Sequence, residues 1–272
     1  MTNKQSVLQG MRVLVTRPPH QNAGQVEQLR AWGAEPVAFP VLDIQPYEAP
    51  SPAFHQAKAR VLDLDLYQSV IFISANAARF GAELIDSYWP QLPIKVHWLA
   101  IGQKTASLLT DYGIDAETAA LGYDSEALLE SPALQAVEGS RILIIRGSGG
   151  REKLAETLRQ RGAQVDYADL YARVCPAYEA AYVQKILYQQ QPDALLITSG
   201  EGLSNLLQLA SGNQQQLPTT TLLKNCQLVV PSERIAQQAR LAGFKRIKTA
   251  KSADDHSMIS ALLPATDAES DK

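Results

Sequence analysis

The chain has 272 residues, 46% hydrophobic and 19% charged, with a formal net charge of −3 at pH 7. That length exceeds one typical domain of roughly 100–200 residues, so two domains are expected, with cores large enough to need no covalent staples. The mild acidity argues against a nucleic-acid footprint, which needs a clustered basic face, but leaves room for a small anion held by a few local donors.

Residues 1 to 10 are polar and carry no apolar signal segment, and no run reaches the ~18 apolar residues of a spanning helix. A cytoplasmic protein with no membrane association is expected. The first predicted strand is Met11-Arg-Val-Leu-Val-Thr-Arg17, an apolar run closed by arginine. A helix-period stretch follows from Gln25 to a stop at Gly33, then a strand opening Ala34-Glu-Pro-Val-Ala. Gln45 to Pro52 holds three prolines and reads as a hinge or linker. Ser69-Val-Ile-Phe-Ile-Ser-Ala-Asn76 is a buried-type strand leading into a helix from Ala77 to Ile85. Val96 to Gly102 leads into a helix that ends at Tyr112-Gly113-Ile114.

At Ser140-Arg-Ile-Leu-Ile-Ile-Arg146 the pattern restarts. Arg141, Arg146 and Gly162 stand 129 residues after Arg12, Arg17 and Gly33. A helix from Leu154 to Gly162 and a strand opening Ala163-Gln-Val-Asp-Tyr complete the second copy of strand, turn, helix, glycine, strand. Asp193 to Gly200, with a helix from Leu203 to Ala210, then resembles the segment around Ser69 to Asn76. Cys226 to Ser232, with a helix ending at Ala242-Gly243-Phe244, resembles the segment around Val96 to Gly102. The glutamine runs at 189–191 and 214–216 read as surface loops or helix ends, and residues 266–272 as a flexible tail. Strand–helix alternation without polar/apolar alternation in the strands predicts an internally duplicated α/β protein. Its two open parallel-sheet lobes, Rossmann- or flavodoxin-like, would carry helices on both faces.

In such sheets, ligands sit at the carboxyl ends of the strands. The turns expected there are Thr16-Arg17, Ser74-Ala75-Asn76, Gly102 through Thr105, Arg146-Gly147 through Arg151, Thr198-Ser199-Gly200 and Pro231-Ser232-Glu233-Arg234. Backbone N–H groups at helix starts suit carboxylates or phosphates. Ser, Thr and Asn cap helices in every class of protein, so one such turn means nothing; six on one cleft mean somewhat more. Arg17 and Arg146 fit either a bidentate grip on carboxylates or structural ion pairs at strand ends. Gly147-Ser148-Gly149-Gly150 is followed by Glu152 where a dinucleotide fingerprint needs its third glycine, which disfavours nucleotide binding. His20, His55, His97 and His256, with Cys175 and Cys226, show no metal-ligand or redox spacing. No GxSxG segment anchors a hydrolase triad. Tyr171 is either a plain strand residue or a neutral proton donor facing a cleft.

Thr16-Arg17-Pro18, Ser74 with Asn76, Ile101-Gly102 with Thr105-Ala106, Arg146-Gly147 with Arg151-Glu152, Leu170-Tyr171 with Arg173, and Thr198-Ser199 with Gly202-Leu203 together resemble the uroporphyrinogen-III synthase family over about Met11 to Leu263. The resemblance implies that the chain crosses twice between lobes through a two-stranded connector near Pro40 to Tyr47 and Leu170 to Tyr178. Residues 1–41 with 176–265 would form one domain and 45–171 the other; composition alone allows a tandem split near 138 equally well. It implies a monomeric lyase of tetrapyrrole (heme) biosynthesis that needs no cofactor and no metal. The substrate would be hydroxymethylbilane, with eight carboxylates, and contact with the preceding pathway enzyme stays open. Tyr171 would be the general acid; Thr16, Arg17, Ser74, Asn76, Gly102, Thr105, Arg146, Gly147, Thr198, Ser199, Gly200 and Ser232 would bind substrate. Ser232 and Arg234 depart from the glycine and threonine of the family at that turn. The alternatives are a non-catalytic two-lobed module that binds or senses a small anion, and a nucleotide-dependent enzyme.

Overall fold

The computed structural model describes residues 7–119, 125–150, 152–211 and 223–263. Arg151, the glutamines at 214–216 and the tail at 266–272 lie outside the described residues.

In chain order the strands and main helices are β1 (Arg12–Val15), α1 (Pro19–Ala31), β2 (Glu35–Ala38), β3 (Asp43–Pro46), α2 (Pro52–Leu62), β4 (Ser69–Phe72), α3 (Ala75–Asp86), β5 (His97–Ala100), α4 (Gln103–Thr110), β6 (Glu117–Thr118), α5 (Ser125–Leu129), β7 (Arg141–Gly147), α6 (Lys153–Gln160), β8 (Gln164–Val174), α7 (Ala180–Gln184), β9 (Ala194–Leu196), α8 (Gly200–Ser211), β10 (Gln227–Val230), α9 (Glu233–Leu241), β11 (Arg246–Thr249) and α10 (Asp255–Ser260). The chain divides into two compact units: residues 1–43 with 174–272, and residues 44–173.

The first unit holds a five-stranded sheet in the order β11-β10-β9-β1-β2, with every neighbouring pair parallel. Alternate residues of the central strands β1, β9 and β10 enter separate cores. Leu14, Leu195, Leu228 and Val230 pack on one face, while Val13, Val15, Ala194, Leu196 and Val229 pack on the other. A strand buried on both faces has no reason to alternate polar and apolar residues, which is why these strands read as continuous apolar runs.

The second unit holds a six-stranded sheet in the order β3-β8-β7-β4-β5-β6, parallel from β8 through β6. Ile71, Leu99, Ile142 and Ile144 of its strands pack against Leu154 and Leu158 of α6.

The spacing of 129 residues recurs in the strand register. β1 pairs with β2 through Arg12↔Glu35, and β7 pairs with β8 through Arg141↔Gln164. Both partners are displaced by the same 129 residues. The glycines that stop α1 and α6, Gly33 and Gly162, have φ of 84° and 88°, the left-handed conformation that lets a helix end and a strand begin.

Three details differ from expectation. Helix α1 begins at Pro19 rather than near Gln25, because proline's fixed φ suits the first helical position and its missing N–H costs nothing there. The strand expected from Leu170 to Tyr178 is the end of β8, one 11-residue strand that stops at Val174, two residues before Pro176. β8 also carries a register irregularity: Arg146 pairs with Asp169 but Gly147 pairs with Tyr171, so Leu170 is an extra residue. A bulge of this kind re-aims the side chains beyond it. Among the described residues no helix is long and apolar enough to cross a membrane.

Candidate functional site

The bulge sets Tyr171 directly against Gly147. A Cβ added to Gly147 would lie 2.4 Å from Cε2 and 2.6 Å from Cζ of the Tyr171 ring. Phe80 of α3 packs on the same ring, with centroids 5.5 Å apart. The phenol oxygen of Tyr171 is 2.9 Å from Oγ of Ser74. Ser74 is the N-cap of α3, and its Oγ also accepts the backbone N–H of Ala77 at 3.0 Å. Tyr171 is 3% exposed. This phenol ring is therefore packed by both Gly147 and Phe80, with its hydroxyl held at the start of a 12-residue helix.

Sequence reasoning missed the supports of this group. Phe80 looked like ordinary helix core. Tyr47, in the proline-rich stretch, donates its N–H to the Leu170 carbonyl at 2.8 Å, and its hydroxyl is 2.7 Å from Oγ of Ser148. The N–H of Ser148 in turn donates to the Tyr171 carbonyl at 2.8 Å. The glycine-rich turn after β7 is thus tied to the backbone on both sides of Tyr171.

Arg146 is committed to its own unit. Its Nε donates to Asp169 at 2.8 Å, its Nη1 donates to Glu152 at 2.8 Å, and the guanidinium lies 3.5 Å from the centre of the Tyr167 ring. At 8% exposure, this is the structural ion pair that the sequence left as an equal alternative to a carboxylate grip. The Arg146 hydrogen bond, then one from the Tyr167 hydroxyl, holds the Glu152 carboxyl below the usual carboxylate range. Desolvation, then that bond to Glu152, pushes the Tyr167 phenol up.

The remaining turns of this unit follow β4 and β5. Asn76 is half-buried in the first turn of α3. Gly102 is the N-cap of α4 with φ of 80°, and its carbonyl accepts the N–H of Thr105 at 3.1 Å. Thr105 is buried in that first turn.

In the other unit, Thr16 is buried and its hydroxyl donates to the Leu196 carbonyl at 2.6 Å, a bond that ties β1 to β9. Arg17 donates through Nη2 to the Ala253 carbonyl and lies 3.3 Å from Oδ1 of Asp255. That is ion-pair distance without hydrogen-bond geometry, and Arg17 Nε and Asp255 Oδ1 are buried with no hydrogen-bond partner. Thr198 and Gly200 are half-buried, and Ser199 accepts the N–H of Gly202 at 2.9 Å, capping α8. A Cβ on Gly200 would meet Gln238 Oε1 at 2.7 Å and Arg234 Nη1 at 3.6 Å, so Arg234 does stand beside this turn. Ser232 is the N-cap of α9, but its hydroxyl makes no capping bond. Among the described residues no three His, Cys, Asp or Glu side chains converge as metal ligands.

The family model of uroporphyrinogen-III synthase HemD matches residues 25–260. The chain belongs to the uroporphyrinogen-III synthase family. It is 35% identical over 254 residues to the uroporphyrinogen-III synthase of Salmonella typhimurium, covering 93% of this chain and all of that one. The uroporphyrinogen-III synthase of Escherichia coli is 33% identical over 258 residues, with 93% and 100% covered. Among solved structures, a mutant uroporphyrinogen-III synthase from Thermus thermophilus superposes with a TM-score of 0.63 at 18% identity, over 93% of this chain and 97% of that one. The enzyme from Helicobacter pylori gives 0.57 at 13% identity, over 93% and 98%. These two show the mixed α/β fold with parallel sheets. Membership in the uroporphyrinogen-III synthase family makes the chain a cyclising hydro-lyase of heme biosynthesis, and a non-catalytic anion module is not favoured.

Proposed function

We propose that the substrate is hydroxymethylbilane and that Tyr171 is the general acid of its cyclisation. The Tyr171 proton goes to the terminal hydroxyl of the substrate, the carbon–oxygen bond breaks, and water leaves an azafulvene cation. Ring D, attacked at its substituted carbon, forms a spiro intermediate; fragmentation and re-closure invert ring D. The closing ring carbon loses its hydrogen as a proton, which restores the acid. The observation that carries this role is a phenol buried at a strand end, its ring clamped by Gly147 and Phe80 and its oxygen held by Ser74. A phenol is neutral at pH 7 and so has a proton to give. General acid help contributes roughly 10²–10⁴-fold, and the rest of the rate comes from positioning.

The carboxylates of the substrate need N–H and hydroxyl donors. In this reading the turns at Arg17, at Asn76, at Gly102 and Thr105, at Gly147, and at Thr198, Ser199, Gly200 and Ser232 supply them. Thr16 and Arg146, which bond within their own units, serve by fixing the ends of β1 and β7. The reading also takes the chain to be duplicated, with its domains at 1–41 plus 176–265 and at 45–171 joined through β3 and β8. It takes the protein to be a cytoplasmic monomer. The repeated register of β1–β2 and β7–β8 supports the duplication.

The deciding assay supplies hydroxymethylbilane, oxidises the product and resolves the porphyrin isomers. Type III product is expected from the protein, and type I alone at the spontaneous rate would end the reading.

A further inference from the structure

Resting on the assignment of Tyr171 as general acid, we propose that Ser74 is not a substrate contact but the positioning residue of that acid. It donates its hydroxyl proton to the Tyr171 oxygen, so that the tyrosine's own proton points to the leaving group.

Ser74 Oγ has one proton and two lone pairs. One lone pair takes the Ala77 N–H, which caps α3. If the Tyr171 proton occupied the other, the 2.9 Å contact would bury the catalytic proton inside the protein. The opposite direction is the useful one, and two features favour it as the reaction proceeds. When Tyr171 gives up its proton, its oxygen becomes an anion that can only accept, so the Ser74 hydroxyl must donate in the product of that step. The same oxygen lies beside the first turn of α3, whose backbone N–H groups favour negative charge. A donor already aimed at the developing charge costs no reorganisation at the moment of reaction. The ring cannot swing to find another partner, because Gly147 lies against one side and Phe80 packs against it as well. Ser74 therefore sets where the oxygen sits and which way its proton points.

The experiment is a double-mutant cycle with Ser74→Ala and Tyr171→Phe, reading kcat and KM for type III formation after subtracting spontaneous type I closure. A hydrogen bond to a charged group contributes on the order of 1.5–3 kcal/mol, so Ser74→Ala should lower kcat about 10- to 100-fold with KM nearly unchanged. In the Tyr171→Phe background the same change should cost less than about 2-fold, because there is no phenol left to position. Two further variants separate positioning from capping. Ser74→Thr keeps both cap and donor and should restore most of the activity. Ser74→Asp keeps the cap acceptor but has no proton to give; it should melt like the parent and be as slow as Ser74→Ala. Equal losses in both backgrounds, a rise in KM with kcat intact, or full activity of Ser74→Asp would each overturn the role of Ser74. An undiminished kcat in Tyr171→Phe alone would instead overturn the assignment of the acid.

Discussion

Gly147 is a glycine because the Tyr171 ring occupies the space its side chain would need. The ring atoms 2.4–2.8 Å from where a Cβ would sit belong to a side chain packed against Phe80 and held by Ser74, so they have little freedom to retreat. Gly147→Ala should cost about 1–3 kcal/mol of stability through overpacking. On the proposed role of Tyr171 it should also lower turnover well beyond that loss, since a catalytic group displaced by about 1 Å can cost on the order of 10²-fold. Thermal melts paired with kcat would check both, and a variant with parental turnover would show that the clamp is irrelevant to catalysis. The two arginines part company at the same scale. Both close an apolar run in the sequence and look equivalent there. Arg146 is satisfied by Asp169 and Glu152, whereas Arg17 retains an unpaired Nε. No spacing rule distinguishes them, because Glu152 is near in sequence while Asp169 and Asp255 arrive through the fold.

Strand β8 organises the second unit from end to end. Beyond its bulge it presents Tyr171; before it, Asp169 holds Arg146; nearer its start, Asp166 gathers Arg60 at 3.2 Å, Arg141 at 3.3 Å and the Tyr67 hydroxyl at 2.9 Å. Tyr67 is 1% exposed. Burial, then the bond to Asp166, pushes its phenol from 10.0 up to about 12. The folded state therefore holds this proton more tightly than the unfolded chain does. The stabilisation is fully present below about pH 10 and is lost as pH rises from 10 towards 12. Tyr67→Phe should cost about 1–2 kcal/mol near pH 8, and its deficit against the parent should shrink above pH 10. Denaturant titrations at a series of pH values would show this; a deficit constant to pH 12 would mean that the bond to Asp166 contributes nothing. The existence of β8 was legible from Ala163 to Tyr167 and its continuation through Tyr171. Its bulge was not, because a single extra residue leaves no mark in a strand whose polar and apolar residues do not alternate regularly.

The whole chain leaves the first unit after Asp43 and returns at Val174. β1, α1 and β2 therefore lie in one unit while β4 and β5, the next strands of the chain after β3, lie in the other. Residues 44–173 carry nearly all of the six-stranded sheet and a core of their own, including Ile71, Leu99, Ile142, Ile144 and Leu158. That segment, expressed alone, should unfold cooperatively on heating followed by circular dichroism. A fragment without a cooperative transition would show that its sheet depends on the remainder of the chain.

The sequence by itself determined the α/β class, the strand ends and the family. These depend on local rules: apolar runs buried on both faces, helices stopped by glycine, hydroxyl residues at helix starts. Which strands share a sheet, and which side chains meet at the strand ends, was decided only in three dimensions. A tandem split satisfies the same local rules as a chain that crosses twice. The pairing of Tyr171 with Ser74 spans 97 residues and that of Arg17 with Ala253 spans 236. Such contacts are fixed by sheet order and by one bulge, and neither has a signature within the few residues that a local pattern can read.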